Sequence, residues 1–287
     1  MPLLALDDNV RGHSFPKGRV SQLSLGQQEF EIPGKADHLE SFGFKLKAGG
    51  AHISRTIMLT EITRLLKSSN ASYGADDYNR AVVEKNFLGK ATESTRQKTL
   101  RHLRELYGLS SVIPIFSLFR DLMTSDAESG ALISLLIAWA RDPLLRATTP
   151  PILNAIIGDQ VASGDLQQAL TDVYPHQYSA NNISKIARNA ASSWTQAGHL
   201  TGRTKKIRTR VQPRPAAVTF ALILAHVTGI SGEQLFSSIW CRLLDLNASE
   251  ARSLAEQAHR QELLTLRAVG PVVEISFPRF SQFLKGF

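Results

Sequence analysis

Eight Lys or Arg residues, Lys185, Arg188, Arg203, Lys205, Lys206, Arg208, Arg210 and Arg214, lie between Val173 and Gly232 with no Asp or Glu among them. The other 25 basic residues of the chain equal its 25 acids, so the whole formal charge of +8 sits in this segment. The chemistry open to such a set is recognition of an anion. Guanidinium and ammonium groups pair with phosphate oxygens, and a cluster without acids neither neutralises itself nor repels them. Its densest part, HLTGRTKKIRTRVQPRP, admits two readings: a solvated loop or a polyanion-binding wing.

The elements around the cluster favour the wing. In SANNISKIARNAASSWTQAGHL, residues Ile183, Ile186, Ala187, Ala190 and Trp194 fall on one continuous helical stripe. Opposite them the spacing places Lys185, Arg188, Asn189, Ser192 and Ser193, which are small, polar or basic. Gly198 can take the positive φ of a helix end, and the alternation in TKKIRTRV predicts a strand. A helix with a small, polar outer face followed by a basic hairpin is the layout of a winged helix. There the helix enters the major groove of duplex DNA while the wing neutralises flanking phosphates. Such cations are expected to be exposed and dispensable for folding.

A second, weaker instance lies upstream. Asp76 and Asp77 open a helix carrying Tyr78, Val82, Val83 and Phe87, and Leu88-Gly89 closes it. Thr92 is then an N-cap for TESTRQKTLRHLRELYG, with Leu100, Leu103 and Tyr107 on one face and Arg96, Lys98, Arg101 and Arg104 on others. Short helix, turn, basic helix reads as a helix-turn-helix, so Arg96, Lys98 and Arg101 are supporting candidates for DNA contact. Before it, Gly49-Gly50 ends an extended piece, and a helix is expected with Ile53, Ile57, Ile62 and Leu65/Leu66 inward.

The expected fold is mainly α, a multi-helix protein with helix-turn-helix or winged-helix-like units and small β-hairpins. Its expected parts are an arm over 1–40, a helical domain over 41–125, a central domain with basic helix and wing over 126–215, and a helical extension with a hairpin over 216–287. In that extension Ser231 with Glu233 and Gln234, and Asn247 with Glu250, read as capping boxes, and LLTLRAV and VVEISF as two strands about Gly270-Pro271. The apolar runs GALISLLIAWA and AAVTFALILAHVTGI are too short or too interrupted for a bilayer span of about 20 residues and read as buried helices. The single cysteine, Cys241, leaves no internal disulfide, and with no signal-like N-terminus the expected location is cytoplasmic.

No catalytic, metal or cofactor site and no small-molecule substrate is expected. The eight histidines are scattered without a His-Glu-x-x-His spacing. Gly89-Lys90 lacks the rest of a phosphate loop, and no glycine-flanked serine elbow is present. A Ser/His/Asp arrangement stays open, because such triads are spatial.

The segments FGFKLKAGGAHISRTIMLTEITRLL, NFLGKATESTRQKTLRHLREL and SANNISKIARNAASSWTQAGHLT resemble the BrxA family, accessory proteins of bacteriophage exclusion (BREX) defence systems, over residues 42 to 211. The resemblance implies a helical DNA-binding protein without activity of its own, working beside other BREX proteins. The family's likeness to the antitermination factor NusB gives an RNA-binding alternative. A scaffold whose basic patch meets an acidic protein is another. The arm and the chain after Pro215 depart from the resemblance and inherit nothing.

Overall fold

The computed structural model describes residues 32–269 and 272–287. Two helices form its centre, and both are apolar on every side, the composition of a helix without a solvent face. One is Gly130–Arg141, the other Pro215–Val227, and they pack on each other. Each apolar run read as a buried helix is therefore one. No single helix among the described residues is long and apolar enough to cross a membrane.

In chain order the helices are α1 (Ala36–Phe42), α2 (Leu59–Lys67), α3 (Ala75–Asn79, continued by a π-turn over Arg80–Glu84), α4 (Glu93–Tyr107), α5 (Pro114–Ser125) and α6 (Gly130–Arg141). They continue as α7 (Pro143–Ala147), α8 (Thr149–Leu153), α9 (Ser163–Val173), α10 (Ala180–Gln196), α11 (Pro215–Val227), α12 (Ile239–Arg242) and α13 (Ala248–Arg260). Short strands form two antiparallel sheets: β1 (Gln160–Val161), β3 (Lys206–Arg208) and β2 (Leu200–Thr201) in that spatial order, and the hairpin β4 (Thr265–Val269) with β5 (Val272–Ser276). The mainly helical fold with small hairpins is as the sequence predicts. One connected set of buried side chains runs from Leu39 to Phe280.

Sequence rules account for most starts and stops. Proline opens α5, α7 and α11, where its missing N–H is no loss. Thr92 caps α4 through Thr95 N at 3.2 Å, and Asn247 with Glu250 makes the predicted capping box of α13. Two expectations fail. Gly232–Ser237 is a 3-10 turn before the one-turn α12, and Ser231 makes no side-chain cap. Of the arm expected over 1–40, Ala36 onward is already α1, which buries Leu39 and Phe42, and residues 1–31 lie outside the described chain.

The helix expected from Ile53 is also interrupted. Ala51–Ile53 is a 3-10 turn, and α2 begins only at Leu59, after Met58 at φ 51°. The amides of His52 and Ile57 donate to Asp142 Oδ2 (3.1 Å) and Ser193 Oγ (2.9 Å) instead of to helical carbonyls. Side chains distant in sequence thus supply partners that a local helix would otherwise provide.

Gly50, at φ +155°, lets the backbone lie directly against Asp142, whose carboxylate a Cβ there would overlap. Gly49, at φ +119°, has open space around the same position. Urea denaturation should show Gly50→Ala destabilised by about 2–3 kcal/mol and Gly49→Ala by about 1 kcal/mol, the first from collision plus backbone strain, the second from strain alone.

Candidate nucleic-acid interface

Between Gln160 and Arg208 the chain runs strand, helix, helix, strand, turn, strand. β3 pairs antiparallel with β1 (Gln160↔Ile207, Val161↔Lys206) and with β2 (Leu200↔Arg208, Thr201↔Ile207). This is the connectivity of a winged helix, with α9 and α10 as the helix pair and residues 202–205 as the wing tip. Gly202, at φ +89°, makes that tip possible, since a Cβ there would strike the Lys205 carbonyl.

α10 sits as its periodicity predicts. Ile183, Ile186, Ala187, Ala190 and Trp194 are buried, Ser179 Oγ accepts from Asn182 N at the start, and Gly198 takes φ +91° after the end. The solvent side carries Asn181, Lys185 and Arg188, all exposed, with Ser192 half-buried on the same stripe. Arg188 and Ser192 join Arg203 and Lys206 of the wing around one cleft of about 500 Å³, and no acid among the described residues lines it. Gln160 and Ser163 complete its rim, and the sequence reading missed both because only β1–β3 pairing brings them there. Lys205 is exposed at the wing tip.

Two residues expected on the outer face of α10 are turned inward. Asn189 Nδ2 donates to the His52 carbonyl (2.8 Å), and Ser193 is buried, its Oγ accepting from Ile57 N and lying 2.8 Å from His52 Nε2. His52 Nδ1 in turn lies 2.7 Å from Asp142 Oδ2. The Ser/His/Asp set that sequence left open is therefore present as Ser193, His52 and Asp142. All three are sealed from solvent, and the serine hydroxyl also contacts the Asn189 carbonyl at 3.0 Å. Burial alone would raise the Asp142 pKa, but the charge of His52 and the hydrogen bonds from its ring and amide outweigh that and lower it. The arrangement is a buried clasp between α10, the 51–57 segment and the start of α7.

The end of the basic run departs most from expectation. Arg208 is 2% exposed, and its guanidinium makes a bidentate pair with Asp245 and donates from Nε to the Ile152 carbonyl (2.8 Å). Arg210 pairs with Glu250, whose pKa is lowered first by the Asn247 amide and then by Arg210. Arg214 pairs with Asp126 (3.1 Å) and Glu128 (2.7 Å). Acids from outside the acid-free segment thus meet its last three arginines: Arg208 is buried in its pair, whereas Arg210 and Arg214 remain exposed but share their charge with carboxylates of the same chain. A charge tally along the sequence has no means to see partners 37 to 88 residues away.

Upstream, α3 and its π-turn are followed by α4, with Tyr78, Val82, Leu100, Leu103 and Tyr107 buried as predicted, while Val83 and Phe87 are only half-buried. Lys98 and Arg101 are exposed on α4, whereas Arg96 is half-buried. None of the three lines the cleft. The 3-10 turn at Ala51–Ile53 packs on both α4 and α10. Arg55, which the sequence reading passed over, is close enough to His102 of α4 to help lower its pKa, after burial and Arg101.

Cys241 is buried, which pushes its thiol up to about 12 and leaves it a thiol at neutral pH. Among the described residues no group of three or more His, Cys, Asp or Glu is placed to hold a metal ion. No protein-family model matches the chain, and no curated protein is significantly similar to it. The fold and site by themselves define a helical protein that carries a winged-helix unit with a cationic cleft.

Two measurements check the wing's anchoring. Arg208→Met leaves the largely buried Asp245 carboxylate without its bidentate ion partner and should lower unfolding free energy by roughly 3–5 kcal/mol. Lys205→Met, at the exposed tip, should stay within about 0.5 kcal/mol. His199, between α10 and β2, donates from Nε2 to the Leu243 carbonyl (2.9 Å) and is fully buried, which lowers its pKa to about 4 against the attraction of Asp245. Unfolded, it binds a proton near pH 6.5 that the folded protein refuses until about pH 4, so its contribution is complete above 6.5 and is lost across that window. The loss is about 3 kcal/mol. In pH-dependent denaturation, His199→Gln, which keeps a donor for Leu243, should show a flatter slope between pH 6.5 and 4.

Proposed function

We propose that this protein is a non-enzymatic double-stranded DNA-binding protein that docks α10 in the major groove and sets its wing on the adjacent backbone. The observation that carries the reading is the cleft shared by α10 and the wing, which Arg188, Ser192, Arg203 and Lys206 line with no acid among the described residues. Asn181, Lys185 and Lys205 are exposed on the same two elements. A helix with small and polar residues outward fits a groove about 12 Å wide, and arginine is the side chain best suited to guanine edges and phosphates. Duplex is favoured over single-stranded RNA because Trp194, the aromatic residue of α10, is buried and unavailable for base stacking.

Its place in BREX phage defence, beside other proteins of such a system, rests on the likeness of the three quoted segments to BrxA.

Fluorescence anisotropy with a 20-base-pair duplex tests the reading. If Lys185, Arg188, Arg203, Lys205 and Lys206 each neutralise one phosphate, log affinity should fall against log salt with a slope of about −4.5, and Lys205→Met should reduce that slope by about 1. Preference for single-stranded RNA of matched sequence would support the antitermination-like alternative, and salt-insensitive or absent DNA binding would overturn the proposal.

A further inference from the structure

The cleft beneath the wing has two features that groove binding leaves unused. Its floor is aliphatic: Val161 from β1, Leu166 from α9, and Leu200 from β2 are each at most 4% exposed yet face the opening, and Ala191 of α10 adds a half-buried methyl. Its rim is cationic: Arg188 from the helix, with Arg203 and Lys206 from the wing. Lys206 Nζ donates to the Gly202 carbonyl (2.7 Å), which holds its charge over the mouth.

A free phosphate or a passing DNA backbone would engage the rim and leave the floor uncovered. An apolar ligand would cover the floor and leave three cations without counter-charge. Both demands are met by one kind of molecule, with several negative charges at one end and a flat, weakly polar body at the other. Gln160, Ser163 and Thr204 add the few hydrogen-bonding groups that fix orientation in such sites, and the volume lies within the usual range for small-ligand pockets, about 300–1,000 Å³.

We propose that this cleft binds a nucleoside phosphate, its phosphates on Arg188, Arg203 and Lys206 and its base on the aliphatic floor, and that occupancy competes with duplex DNA. The competition rests on the DNA-binding reading, because the same cations serve both ligands. The binding itself does not depend on it. The nucleotide has two possible sources, a free molecule or the unpaired end of a strand.

The test is isothermal titration of the full chain with ATP and with tripolyphosphate, a charge-matched probe lacking base and sugar. ATP should bind at least ~10-fold more tightly, a gap assigned to the floor. Ala191→Phe, which fills the floor without removing a cation, should abolish that gap while duplex affinity stays within about twofold. Ser192→Leu provides a second obstruction should the first variant fail to fold, which circular dichroism reports; because Ser192 also lies on the face proposed for DNA, that variant is read only by its affinities for ATP and tripolyphosphate, between which the gap should again vanish. Arg203→Gln should weaken both probes.

Equal affinity for ATP and tripolyphosphate, absence of binding, or an unchanged gap in a folded obstructed variant overturns the site. Raising ATP should displace a blunt duplex, and simultaneous binding of both would overturn the competition. A duplex with one unpaired terminal nucleotide that binds more tightly than the blunt form, with the gain lost in Ala191→Phe, identifies the strand end as the source. No such gain assigns the cleft to free nucleotide. ATP binding without any duplex binding would leave the site standing and reject the proposed function instead.

Discussion

The carboxylate of Asp142 is the constraint on which the rest of the arrangement depends. It is fully buried and accepts from the amides of Leu144 and Leu145, thereby starting α7, and from both the amide and the ring of His52. A buried charge is tolerable only with its hydrogen-bonding capacity filled and an opposite charge or dipole beside it. Asp142 meets that condition by drawing in the 50–57 segment, which Gly50 allows to approach. Through His52 the same group reaches Ser193 and so fixes the rotation of α10 about its axis.

That rotation decides which residues the basic helix presents. With Asn189 and Ser193 committed to the clasp, the stripe left to solvent is Asn181, Lys185, Arg188 and Ser192. On the far side of the sheet, Arg208 performs the matching task. Its bidentate pair with Asp245, which also accepts from Val211 N at 3.0 Å, ties the base of the wing to the chain before α13. The basic run is therefore divided by pairing, since Arg208, Arg210 and Arg214 each meet an acid of the same chain. Its first half projects as a wing, and its second half is a structural seam with the C-terminal region.

Much of this was legible in the sequence wherever the signal was local. The stripe Ile183 to Trp194, the caps at Thr92 and Asn247, the apolar helices α6 and α11 and the β4–β5 hairpin all depend on spacing within one element. Where the reading failed, a distant group outcompeted the local pattern. The helix expected from Ile53 gave way to amide bonds with Asp142 and Ser193, and Ser231 in its box-like setting was left without a cap before a 3-10 turn. Arg208, Arg210 and Arg214 looked like their neighbours in composition and differ only in what folds against them.

The sequence by itself determined the helical class, the inward face of α10 and the concentration of net charge in one segment, because periodicity and composition are properties of consecutive residues. Only the tertiary structure decided which cations stay free, which serine and asparagine turn inward, and that Gln160, Ser163, Arg188 and Arg203 share a cleft. Those outcomes follow from pairing between groups tens of residues apart, where buried charges seek partners wherever the fold supplies them, and linear order does not encode that proximity.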